Sequence, residues 1–285
     1  MTKYLVTGAT GKLGGYVLQY LTAYVPKSSI VALARDTAKA KELSGEGFEV
    51  RIGNYTDPAS LENAFQGVSR LLFISSLPGE AVSRQQQHKN VVNAAKQAGI
   101  GFIAYTSLAN ADQSKCIVAP DHVYTEGLIL DSGIAHVFLR NNWYLENEKF
   151  ILDGAFHNGI FAYAAGNGRV GWALKREYGE AAARVLSNTY EEKSIVELSG
   201  KPVTYAELAE AAREASGKNF EVMSLDADAY QEFLVKTDLP ESFVNYLVAI
   251  HSNIRDGVLD VERDDFESVL GRPLMPLDGA LKEIL

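Results

Sequence analysis

Thr7-Gly8-Ala9-Thr10-Gly11-Lys12-Leu13-Gly14 is the stretch from which the rest of the chain can be read. It follows a short apolar run, Lys3–Thr7, and leads into Leu13, Val17 and Leu21, which fall four apart like one helical face. Gly8 permits a tight turn, Gly11 lets the backbone approach a pyrophosphate, and Gly14 lets the helix pack closely on the strand. The helix start offers that anion unpaired N–H groups and a positive dipole end. The spacing is G-x-x-G-x-x-G rather than G-x-G-x-x-G. Context therefore carries the assignment: strand before, helix after, and a second strand ending about twenty residues on. A triphosphate loop is excluded, because Val6 stands where it needs glycine and Leu13 where it needs Ser or Thr.

Outward from this turn the chain alternates strands and helices. Ile30–Ala34, Phe48–Ile52, Arg70–Ile74, Phe102–Tyr105 and His136–Leu139 read as buried strands. Between them lie helices near Ala38–Leu43 (capped by Asp36), after Asp57-Pro58, from Arg84 to Gly99 and at Asp121–Leu130. Beyond Arg140, helices near Arg176–Ser187 and Ala206–Ser216 flank one more strand, Ile195–Leu198, and the tail from Asp226 looks mainly helical. Uniformly apolar strands separated by helices imply a parallel sheet covered on both faces. The expectation is an α/β protein, a doubly wound Rossmann-like parallel sheet with a smaller, mainly helical C-terminal substrate lobe. Residues 1–140 form the nucleotide-binding core, completed by roughly 176–200; residues 141–175 and 201–285 form the lobe.

Composition narrows the function. The formal charge of −9 argues against nucleic-acid binding and against a polybasic membrane attachment. No apolar run approaches the ~20 residues of a spanning helix, and the N-terminus enters a strand directly. Cys116 is the one cysteine, which fits a reducing compartment; the expected location is cytoplasmic, and Cys116 reads as an apolar filler. No metal is expected. The second strand ends Ala34-Arg35. A carboxylate there would hold a ribose 2′-hydroxyl, whereas an arginine suits a 2′-phosphate, so NADPH is favoured over NADH. Asp36 is a competing signal, although its place before Thr37-Ala38 fits helix capping.

The chain resembles the NmrA-like, atypical branch of the short-chain dehydrogenase/reductases, and within it bacterial NADPH:quinone oxidoreductases and triphenylmethane-dye reductases. The resemblance rests on Val6–Gly11, Leu33-Ala34-Arg35, Gly53-Asn54-Tyr55, Leu72–Ser76, Ala104–Leu108 and Leu139–Tyr144. It implies that Gly8, Ala9, Thr10, Gly11, Lys12 and Leu13 hold pyrophosphate, Arg35 the 2′-phosphate, and Asn54 and Tyr55 border adenine. Ser75, Ser76 and Leu77 would flank the nicotinamide-side ribose; Asn141, Asn142, Trp143 and Tyr144 would flank the nicotinamide. Lys175 stands where relatives often carry arginine. Two departures are Asn54, usually aspartate in relatives, and Gly127, often lysine.

The superfamily's usual proton relay is a tyrosine with lysine four residues later, and no tyrosine here has it. Ser107, His122 and Tyr144 are the candidate catalytic residues. Hydride transfer to a quinone yields a phenolate-like anion with a pKa of about 10, which can take its proton from water. Trp143 and Tyr144 would offer flat surfaces to such an aromatic acceptor. Gly166–Arg169 reads as a turn, either part of a lid or a hairpin. The leading expectation is an NADPH-dependent oxidoreductase acting on a quinone or similar conjugated aromatic acceptor. The alternative is a non-catalytic NADP(H) sensor acting through a protein partner; a sugar-nucleotide epimerase or dehydratase is disfavoured by the missing relay. A homodimer is compatible with either.

Overall fold

The computed structural model describes residues 2–77, 81–190 and 193–285. The first half is a regular alternation. It runs β1 (Tyr4–Val6), α1 (Lys12–Leu21), β2 (Ile30–Ala34), α2 (Thr37–Gly45), β3 (Glu49–Ile52) and α3 (Pro58–Ala64). It continues through β4 (Arg70–Phe73), α4 (Arg84–Gln97), β5 (Phe102–Leu108), α5 (Ala119–Ser132) and β6 (Ala135–Asn141). The second half adds α6 (Lys149–Asn158), β7 (Ile160–Tyr163), β8 (Arg169–Val170), α7 (Lys175–Ser187), β9 (Ile195–Leu198) and β10 (Val203–Thr204). After these come α8 (Tyr205–Ser216), β11 (Glu221–Ser224), α9 (Ala227–Val235), α10 (Glu241–Arg255), α11 (Asp265–Leu270) and α12 (Leu277–Ile284).

Seven strands form one sheet in the order β3-β2-β1-β4-β5-β6-β9, every pairing parallel. Successive side chains of each strand go to opposite faces. Val6, Ala32, Leu72 and Leu139 pack under α1 and α7, while Leu5, Val31, Leu71 and Tyr105 pack under α3, α4 and α5. Both faces are dry, which is why the strands read as apolar runs rather than as alternations. Strand order reverses between β1 and β4, so a crevice opens beyond their C-terminal ends.

The second half builds a lobe on two short sheet pairs, β7 with β11 in parallel and β8 with β10 antiparallel. The segment Gly166–Arg169 is not a hairpin turn, because β7 and β8 pair with different partners. A Cβ on buried Gly168 would stand 2.2 Å from the Ile254 carbonyl oxygen, so this turn is wedged against the end of α10. Among the described residues no helix is long and apolar enough to cross a membrane.

Candidate functional site

The turn after β1 is fixed from beneath. Thr7 Oγ1 donates to the Leu72 carbonyl at 3.1 Å and accepts the Ile74 N–H at 2.8 Å, joining the exits of β1 and β4. Gly8 adopts φ +59°, open to glycine at little cost. A Cβ on Gly14 would lie 2.3 Å from the Gly8 oxygen, so α1 can begin over the turn only if residue 14 is glycine. The N-cap, Gly11, provides no side-chain cap, and the first turn of α1 carries no acidic residue. Its leading N–H groups remain available to an anion. Lys12 and Lys175 line the same cleft. Burial lowers the Lys175 pKa; Glu146 pulls it back up, and the Lys12 charge lowers it further.

At one end of the cleft stand Arg35 and Lys39. Asp36 accepts the Ala38 and Lys39 N–H groups at 2.7 and 3.0 Å, which holds its carboxyl below the usual range. Its carboxylate is thus engaged in capping α2. Tyr55 closes the floor, donating its hydroxyl to the Ile74 carbonyl at 2.8 Å. Two neighbouring residues direct their side chains elsewhere. The Asn54 Oδ1 accepts the Thr56 N–H at 3.1 Å, tying it into the turn before α3 and away from the cleft wall. The Ala9 methyl is buried in the core beneath α1, leaving that residue no side chain toward the cleft.

The other end is assembled from β4, β5 and β6. The Ser75 N–H donates to Thr106 Oγ1 at 2.9 Å, and the Ser76 N–H to His88 Nε2 at 3.0 Å. Thr125 gives its own proton to the Asp121 carbonyl, so its oxygen receives the His88 Nδ1 proton at 2.7 Å. His88 is therefore neutral, its pKa lowered to about 3 by burial and by the Arg84 charge. Leu77 follows, largely exposed. After β6, the Asn141 Nδ2 donates to the Tyr144 hydroxyl at 3.0 Å, and Asn142 Nδ2 to Ser199 Oγ at 2.9 Å. Both asparagine Oδ1 atoms are buried without partners among the described residues. The Trp143 indole donates to Glu148 at 2.9 Å. The same carboxylate oxygen receives Trp172 Nε1 and the Tyr205 hydroxyl, each at 3.0 Å. Glu148 is buried, and burial raises its pKa to about 7 against the pull of these donors.

Two of the candidate acids, His122 and Ser107, have their protons engaged, whereas the Tyr144 hydroxyl accepts from Asn141. His122 Nε2 accepts from Arg84 Nη2 at 3.1 Å, which leaves the ring proton on Nδ1, toward the Tyr105 oxygen at 3.0 Å. Burial and the Arg84 charge hold its pKa well below the ordinary value. His122 is thus neutral here, with its one ring proton directed at Tyr105. Ser107 lines the cleft, but its hydroxyl donates to Glu126 at 2.6 Å, and Glu126 is clamped by Arg140. Tyr144 is a phenol pushed up to about 12 by burial. Its ring stands edge-on to Tyr178, with the Lys175 ammonium 4.9 Å from its centre. The sequence reading missed Arg84, His88, Thr106 and Tyr246. Of these, Arg84, Thr106 and Tyr246 line the cleft, and His88 holds its edge through the Ser76 N–H.

Comparison with known proteins agrees with this geometry. The NmrA-like family model matches residues 2–126. Quinone oxidoreductase 2 of Escherichia coli (strain K12) is 40% identical over 280 residues, spanning 98% of this chain and 97% of that protein. Among solved structures, the Citrobacter sp. triphenylmethane reductase complexed with NADP(H) superposes with a TM-score of 0.92 at 38% identity, covering 99% of this chain and all of that one. The E. coli NADPH-dependent quinone oxidoreductase complexed with NADPH gives 0.92 at 39% identity, covering 99% of each. With near-complete coverage at this identity, the chain belongs to the NmrA-like family.

Proposed function

We propose that this protein is an NADPH-dependent oxidoreductase whose acceptors are quinones or similarly conjugated aromatic molecules. One observation carries the reading. A single cleft of about 610 Å3 runs from Arg35 and Lys39, past the glycine turn, to Asn141 and Trp143, a size ordinary for a cofactor or ligand site. The residues present fit the cofactor. The uncapped start of α1 over the glycine turn suits a pyrophosphate, with Lys12 and Lys175 lining the same cleft. Arg35 and Lys39 suit a 2′-phosphate. The orphaned Asn141 Oδ1 offers an acceptor to an amide group at the far end. When bound, the cofactor supplies a hydride.

The chain's own part is to bind, orient and shield. Residues 1–140 with 176–200 form the cofactor half, and the lobe from 141–175 and 201–285 covers the acceptor end. Ser75, Ser76 and Leu77 border the ribose, their backbone held by Thr106 and His88. Trp143 and Tyr246 supply flat apolar surface to an aromatic ring. A committed Ser107 and a neutral His122 suit an acceptor that is reduced to a weakly basic anion and protonated by water. The test is stopped-flow absorbance at the reduced-nicotinamide band with benzoquinones and naphthoquinones. Accelerated NADPH oxidation is expected. No acceleration by any acceptor would favour a cofactor sensor and overturn the reductase reading.

A further inference from the structure

Arg84, the first residue of α4, lines the cleft beside Ser76, His122 and Tyr246. Its side chain is 8% exposed. Nη2 donates to His122, but Nε and Nη1 are buried without a hydrogen-bond partner among the described residues. Asp121 pairs with the guanidinium as an ion through Oδ2, 3.8 Å from Nη1 and beyond hydrogen-bond reach, while Asp121 Oδ1 accepts from Gln85. The aromatic neighbours are neutral: Tyr105 is a buried phenol, and His88 and His122 are unprotonated. A buried guanidinium with two idle donors is expensive unless something intermittently satisfies it. The guanidinium fork is built to meet an anionic oxygen.

We infer that Arg84 is the charge-receiving residue of the acceptor site, holding the oxygen on which negative charge develops and selecting neutral or anionic acceptors over cationic ones. The inference rests on the reductase reading for its chemistry. When a quinone takes up the hydride released from a carbon–hydrogen bond of the cofactor, an oxygen–hydrogen bond forms at one carbonyl oxygen and an electron pair is displaced through the ring onto the other, which becomes an oxyanion. The cofactor is oxidised and the quinone reduced. Arg84 donates hydrogen bonds to that oxygen and keeps its own protons, and a solvent proton later completes the hydroquinone. A fixed positive charge here helps the step with no acid in place. It also opposes a cationic dye, whose charge would be set against a desolvated guanidinium.

The test uses Arg84→Gln and Arg84→Lys in the full chain, with folding checked by circular dichroism. Binding is read by quenching of tryptophan fluorescence, with the anion of 2-hydroxy-1,4-naphthoquinone against neutral 1,4-naphthoquinone. Arg84→Gln should weaken the anion about tenfold or more and the neutral ring much less, with Arg84→Lys between. In turnover, Arg84→Gln should lower kcat for 1,4-benzoquinone about tenfold and leave NADPH affinity unchanged, while raising the relative rate with a cationic triphenylmethane dye. Equal loss of anionic and neutral ligands, or an unchanged preference between quinone and dye, would overturn the inference. The binding measurement needs no turnover, so it decides the role of Arg84 even if the reductase reading fails.

Discussion

Glu148 offers a perturbation whose size follows from its surroundings. One carboxylate oxygen receives Trp143, Trp172 and Tyr205, and no cation pairs with it among the described residues. Burial dominates, and the pKa rises from an ordinary 4.5 to about 7. A raised folded pKa means that the folded protein binds a proton more tightly than the unfolded chain. Its stabilising effect is complete below the unfolded pKa and is lost as pH climbs through the folded one. The window is therefore about pH 4.5 to 7, and the full loss is about 3 kcal/mol. Glu148→Gln keeps an oxygen for the three donors and removes the titration. Urea unfolding of both proteins at about pH 5 and pH 8 isolates the effect, since every other group cancels in the difference. Between those conditions the parent should lose about 2–3 kcal/mol relative to the variant. Parallel stability curves would show that Glu148 is ionised throughout, and that the three donors outweigh its desolvation.

Three further outcomes follow from the same geometry. Arg35→Ala should weaken NADPH about tenfold or more and leave NADH nearly unchanged, as measured by calorimetric titration; equal affinities in the parent protein would remove the cofactor assignment. Gly14→Ala drives a Cβ to 2.3 Å from the Gly8 oxygen, so NADPH binding should be lost, whereas Gly15→Ala meets nothing within 4 Å and should stabilise α1 by about 0.5–1 kcal/mol. Thermal melts and cofactor titration of the pair separate cradle damage from general helix damage, and an intact Gly14→Ala site would refute the close packing. His88 and His251, both lowered to about 3, must take up protons on unfolding below about pH 6.5, so each should withdraw about 2 kcal/mol by pH 5. Glu148 returns part of this, and His122 adds to the loss. A flat unfolding midpoint from pH 7.5 to 5 would contradict the buried neutral histidines.

What the sequence could and could not disclose follows from the range of the interactions involved. The glycine turn is local: its spacing states the backbone geometry, and the strand before and helix after are visible within twenty residues. Arg35 and Asp36 are likewise legible, because a strand end and a helix cap are properties of neighbouring residues. The start of α4 is different. Arg84-Gln85-Gln86-Gln87-His88 reads as a solvated helical face, yet Gln87 and His88 are buried. Gln87 is polar and buried because it donates to the Val82 carbonyl ahead of α4, and His88 because the Ser76 N–H beyond β4 needs a partner. That demand arises only when α4 and α5 lie side by side. The same holds for Glu148, whose three donors come from Trp143 nearby and from Trp172 and Tyr205 far along the chain. It holds too for Gly166–Arg169, where two strands that adjoin in sequence pair elsewhere.

The placement of the histidines bears on how the acceptor end works. A protonated imidazole at His122 would stand 3.1 Å from a buried guanidinium, and the repulsion between two such charges in a poorly solvated site runs to several kcal/mol. Arg84 thus does two things with one charge. It adds to the burial that keeps His122 neutral, which removes the nearest side chain that resembled an acid, and it leaves a positive field on the cleft wall where that acid's proton would have been. The two are alternatives: a site that protonates its acceptor directly needs a titrating group, and a site that holds an oxyanion needs a fixed cation. Removing Arg84 lifts only part of what lowers the His122 pKa, burial remaining, and is therefore expected to cost turnover rather than to supply the missing acid. In Arg84→Gln the His122 ring, observed by NMR as its carbon resonances are titrated, should move toward its ordinary pKa while quinone reduction falls. If reduction instead rises as His122 becomes protonatable, the acceptor was waiting for a proton and the fixed-charge account of this site is wrong.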